Sequence, residues 1–173
     1  MPKKSLRARL LDDVHIMPEG SWRNVMGDND GWGEVFTGGD SPIGRPVIAI
    51  NDEKFKKSGA GPGYREKMTL FESMHLLKDV EPVRYNRILT KALRDKKYMN
   101  WAHRSYAIAQ LHEGETRSFA KWHKTSRLDQ IIAGYMLGGD PDLPTMKGWN
   151  RNLPIGKDLK TELERLREDL EIR

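Results

Sequence analysis

The stretch Thr69-Leu70-Phe71-Glu72-Ser73-Met74-His75 lies within residues 65–79, a run whose apolar residues recur at helical spacing almost all the way round. Met68, Phe71, Glu72, His75 and Leu76 fall on one face, and Leu70, Ser73, Met74 and Leu77 on another. A helix wetted on neither face is a buried helix, so this run predicts the centre of a helical core. Glu72 and His75 stand three apart on the same face. A buried carboxylate needs a hydrogen bond, a cation or a metal, and the neighbouring imidazole is the first partner at hand.

Outward from that helix, further helices are expected over 82–95, 96–112, 118–137 and 158–173. Pro82 suits a first helical turn, and Gly138-Gly139 suits a helix end. The short apolar run Arg45-Pro-Val-Ile-Ala-Ile-Asn51 predicts a strand, with further extended pieces over Trp32–Thr37. Residues 18–46 otherwise read as a Gly/Asp/Asn/Pro-rich loop, and 54–64 as a Gly/Pro hinge with exposed lysines. The expected fold is mainly α with a small β element (α+β), its short sheet near residues 32–51. A basic arm (1–13) should precede one globular domain (14–157). The long 138–157 loop carries Leu143, Met146, Trp149 and Ile155, and suggests a belt over the surface or a partner contact. In the last helix Leu159, Leu163, Leu166 and Leu170 make a seam that docks on its own domain or on a partner. Trp149 joins those leucines as the candidate partner interface.

Charge is distributed unevenly. The net charge of +5 includes +4 from Lys3, Lys4, Arg7 and Arg9 alone. Residues 11–53 hold nine acids and two bases, whereas 84–127 hold eleven bases and three acids. Such polarity suits an acidic partner or head-to-tail association, and equally two regions that face each other. The arm and the 84–127 region are therefore the candidate contacts for nucleic acid or an acidic partner. A content of 37% hydrophobic residues with five tryptophans is that of a folded chain. The absence of cysteine excludes disulfides and thiolate metal sites. No run approaches the roughly 20 apolar residues of a membrane helix, and no apolar segment follows the basic start as in a signal peptide. The expected location is cytoplasmic or within a virion.

The order of strand 46–51, a Gly-rich connection and the helix bearing Phe71-Glu72-Ser73-Met74-His75 resembles the zincin metallopeptidases. In that family two histidines of H-E-x-x-H bind zinc and the glutamate activates water. The resemblance implies Glu72 as catalytic base, His75 as a metal ligand, and Asp129 as a ligand from a later helix. Phe71 stands where the first histidine belongs, so it implies a degenerate domain, of the kind found in bacteriophage accessory proteins. Only one E-x-x-H is present, which sets aside the di-iron bundle with its two. The same two residues also suit a buried polar pair that fixes helix packing.

Other motifs are weaker. His103 and His123 follow Trp101 and Trp122 among basic residues, a pattern that suits phosphate binding with aromatic stacking. Half-buried tryptophans beside a charged face explain it equally well. Asp28-Asn-Asp-Gly-Trp-Gly-Glu34 is a turn, because an EF-hand alignment on Gly31 puts Met26 at the first ligand position. The leading expectation is a non-catalytic assembly protein, a virion or accessory component without a cofactor, contacting other subunits or copies of itself. Its alternatives are a zinc-dependent hydrolase using Glu72 and His75, and a nucleic-acid-binding protein using the arm and residues 84–127.

Overall fold

The computed structural model describes residues 4–12, 14–17, 20–28, 31, 33–36, 46–59, 62–137 and 153–172. It is mainly helical with a small three-stranded sheet. The chain forms two compact units, Met1–Val80 and Glu81–Arg173.

In the first unit the predicted strand is β3 (Val47–Asn51), and every one of its residues is buried. A strand covered on both faces reads as an unbroken apolar run, which is why it is legible. β1 (Val14–Met17) lies parallel to it, with Val14 opposite Ile48, and β2 (Gly33–Phe36) antiparallel, with Gly33 opposite Ile50. Asn51 ends the strand and caps the next helix: its side-chain oxygen accepts from Lys54 N at 3.1 Å, and its amide donates to Gly31 O at 3.1 Å. That helix, α3 (Asp52–Ser58), replaces the expected hinge. Asp52 and Glu53 occupy its positive end and Lys56 and Lys57 its negative end, with Lys56 2.9 Å from Asp52. Gly59, at φ +67°, closes it. A second short helix, α2 (Ser21–Met26), interrupts the expected loop and buries Trp22.

The helix expected over 65–79 begins earlier, as α4 (Pro62–Ser73). It continues through a 3-10 turn (Met74–Leu76) into α5 (Leu77–Val80) and packs over β2 and β3. Met68, Leu70, Ser73, Met74, Leu76 and Leu77 are buried. The buried Ser73 hydroxyl is satisfied by Leu70 O at 2.7 Å. The N-terminal arm forms α1 (Leu6–Leu11), capped by Ser5, and lays buried Leu6 and Leu10 against α4 and α5.

The second unit is helical: α6 (Pro82–Arg94), α7 (Lys96–His112), α8 (Phe119–Trp122), a π turn (His123–Arg127), α9 (Leu128–Leu137) and α10 (Lys157–Asp169). α10 packs on α6 and α9. Leu159, Leu163, Leu166 and Leu170 are all buried, so the seam offered as a partner surface is core of its own unit. Each such side chain contributes about 1.5–3 kcal/mol by leaving water. Among them Glu162, also buried, receives Lys91 at 2.9 Å and Arg87 at 3.4 Å. Asp95 ties the starts of two helices together, accepting from Tyr98 N at 3.1 Å and from Gly156 N at 2.5 Å. Of the expected 138–157 loop, residues 138–152, including Trp149, lie outside the described residues. Leu153 beyond them is buried. No described helix is long and apolar enough to cross a membrane.

Candidate functional site

Glu72 and His75 do come together. His75 Nε2 lies 4.0 Å from Glu72 Oε2, and the Phe71 ring meets the His75 ring edge-on at 5.8 Å. The close approach of α4 to the sheet is set by Gly33 of β2. A Cβ there would meet Glu72 Cγ at 2.9 Å and Ala49 O at 3.2 Å. Burial pushes the Glu72 carboxyl up to about 7, His75 pulls it back, and Glu34 pushes it further. A carboxyl poised near neutrality is chemically capable of holding or moving a proton. A zinc site is another matter, since zinc needs three or four protein donors. Among the described residues no group of three or more His, Asp or Glu converges.

Asp129, the remaining ligand implied by the zincin resemblance, belongs to the second unit. It is buried in α9 beside Tyr85, whose hydroxyl donates to Lys124 O in the π turn at 3.0 Å. Burial, and then the Asp129 charge, hold that phenol well above its ordinary pKa.

The described cations of the arm are engaged within their own unit. Lys4 meets Asp12 and Arg7 meets Glu66, each at 2.6 Å, and Arg9 donates to Val80 O at 3.4 Å. Lys3 lies outside the described residues.

The basic 84–127 region behaves differently. Arg84 pairs with Asp169, Arg87 and Lys91 with Glu162, and Arg117 with Glu115. Arg127 lies over the rings of Trp101 and Trp122, 5.6 and 5.5 Å from their centroids, and also meets Ser105. Arg94, Lys96, Lys97, Arg104, Lys121 and Lys124 remain exposed with no ion pair among the described residues. Lys96, Lys97, Asn100, His103 and Arg104 share the exposed stripe of α7, and α8, which brings Lys121, packs beside that helix.

Between those helices sits an aromatic pile that the sequence shows only as scattered rings. His103 stacks on Phe119 at 4.0 Å and 19°, and Phe119 on His123 at 5.5 Å and 18°. His123 is fully buried, its Nε2 2.6 Å from the Tyr98 hydroxyl. Burial pushes its pKa down to about 4, with help from the charge of His103. At neutral pH it is the uncharged partner of Tyr98, whose phenol burial in turn holds high.

Comparison with protein-family models, with curated proteins and with solved structures finds no match, so the site rests on this geometry.

Proposed function

We propose that this chain is a non-catalytic binding protein whose second unit holds nucleic acid on the basic face formed by α7 and α8. One observation carries the reading: Lys96, Lys97 and Arg104 of α7 and Lys121 of α8 stand exposed without a carboxylate among the described residues, with Arg94 and Lys124 exposed likewise at the end of α6 and in the π turn. Exposed charge of one sign costs a fold self-repulsion and is relieved by a polyanion, whose condensed counterions are released on contact. The reading as an assembly component contacting partners through arm and leucine seam has less support. Leu6, Leu10, Leu159, Leu163, Leu166 and Leu170 are already covered. The hydrolase reading rests on two donors where its metal asks for at least three.

The test is the affinity of the whole chain for a 20-nucleotide strand in 0.1 M salt. Lys97→Gln/Arg104→Gln/Lys121→Gln is expected to weaken binding about tenfold or more and to lower the salt dependence by about 2–3 phosphate contacts. Lys4→Gln/Arg7→Gln should leave both unchanged. The reverse outcome, loss with the arm variant and none with the α7–α8 variant, overturns the placement.

A further inference from the structure

We infer that the nucleic acid held on this face is single-stranded and that the ring of His103 is the platform on which an unpaired base stacks. The inference rests on the reading above and adds a ligand class and a positioning residue to it.

The three near-parallel rings run from the core outward. His123 is buried, Phe119 half-buried and His103 exposed. The buried end is anchored by the Tyr98 hydroxyl. Phe119 is held from its sides by Tyr106, edge-on at 5.5 Å, and by Trp122, tilted at 6.0 Å. Tyr106 is itself fixed through its hydroxyl, which donates to Arg117 O at 2.5 Å. The exposed imidazole is thus set in orientation before any ligand arrives, which reduces the ordering cost of stacking on it.

The tryptophans are less suited to the task. Arg127 lies over both Trp101 and Trp122, and Trp122 is buried. His103, by contrast, stands in the basic stripe with Lys96, Lys97 and Arg104, and the next residue one turn on is the small, exposed Ala107. A base laid on His103 would become the fourth ring of the pile, with its phosphates within the field of those cations. Every base has a π face, so such a site is tolerant of sequence. A duplex keeps its bases stacked on one another and offers only phosphates. Strand form, not sequence, is what this arrangement distinguishes.

The experiment compares 15-nucleotide single strands, of DNA and of RNA, with a duplex of the same length in 0.1 M salt, read by fluorescence anisotropy. Wild type should bind either single strand more tightly than the duplex. His103→Ala should weaken single-strand binding about tenfold. His103→Phe should restore it to within about twofold, and duplex binding and the single-strand salt slope should stay unchanged in both variants. Circular dichroism of each variant checks that the fold is kept. Equal affinity for both forms with no effect of His103→Ala overturns the stacking platform while leaving the basic face standing. Absence of binding to any strand overturns both.

Discussion

In the first unit Lys4, Arg7, Lys56, Lys57 and Arg65 each meet a carboxylate, whereas in the second Arg94, Lys96, Lys97, Arg104, Lys121 and Lys124 meet none among the described residues. The pairs of the first unit join neighbouring turns or tie one helix to the next, as Arg65 ties α4 to Asp52 of α3. There charge is used for cohesion. In the second unit Arg84, Arg87, Lys91 and Arg117 are paired as well, the leucines of α10 add buried apolar surface, and the six cations named above face outward. Desolvation also moves one titratable group in each unit in opposite directions, the Glu72 carboxyl up in the first and the His123 imidazole down in the second. Net charge alone hides both differences.

The largest expected effect tests whether the leucine seam is core. Leu166, with no exposed surface, should cost about 2–5 kcal/mol when changed to alanine, measured by urea unfolding. A stable Leu166→Ala variant that instead changes its oligomeric state would return the seam to a partner surface.

Next in size are the two desolvated groups Glu72 and His123, which should give opposite pH limbs. Burial raises the Glu72 pKa from 4.5 to about 7, so the folded chain keeps a proton that the unfolded chain releases. The stability this gives is complete below pH 4.5 and is lost as pH rises through about 7. Glu72→Gln should therefore exceed wild type by about 3 kcal/mol at pH 8 and match it at pH 4. For His123 the sign reverses. Its pKa falls from 6.5 to about 4, so its contribution is complete above 6.5 and is lost as pH falls toward 4. His123→Phe should flatten that acid limb, worth about 3 kcal/mol. If each substitution leaves its limb intact, the contrast between the units fails.

Much of this architecture is written locally. The boundaries of α6, α7 and α10 follow from apolar spacing, from Pro82 at a first turn and from the Asp95 cap, all within a few residues of one another. The strand β3 was legible because both of its faces are buried. α3 was missed because Phe55 is its only buried apolar residue; the Asn51 cap and the ordered charges of Asp52, Glu53, Lys56 and Lys57 carried the signal instead. β1 spans four residues and exists only through a partner over thirty positions away, which local pattern does not show. The same limit hid the functional geometry. Phe119 and His123 stand four apart on one helical run, a spacing that brings them together, but the stack across to His103 joins that run to α7 and no local pattern shows it. Glu72 and His75, one helical turn apart, were legible as a pair, but the close fit over Gly33 was not.

The smallest expected effect concerns the arm. Arg7 is partly exposed, and Arg7→Gln should cost no more than about 1 kcal/mol in urea unfolding and leave nucleic-acid affinity unchanged. A larger loss of affinity would move the contact from the second unit to the first.

The most direct measurement is a nuclear magnetic resonance titration of the isotope-labelled chain with a 15-nucleotide single strand. The account predicts amide shifts concentrated over Lys96–Arg104 and Phe119–Thr125, with residues 4–80 unmoved. Shifts concentrated on α1 or around Glu72, with α7 and α8 silent, would contradict it.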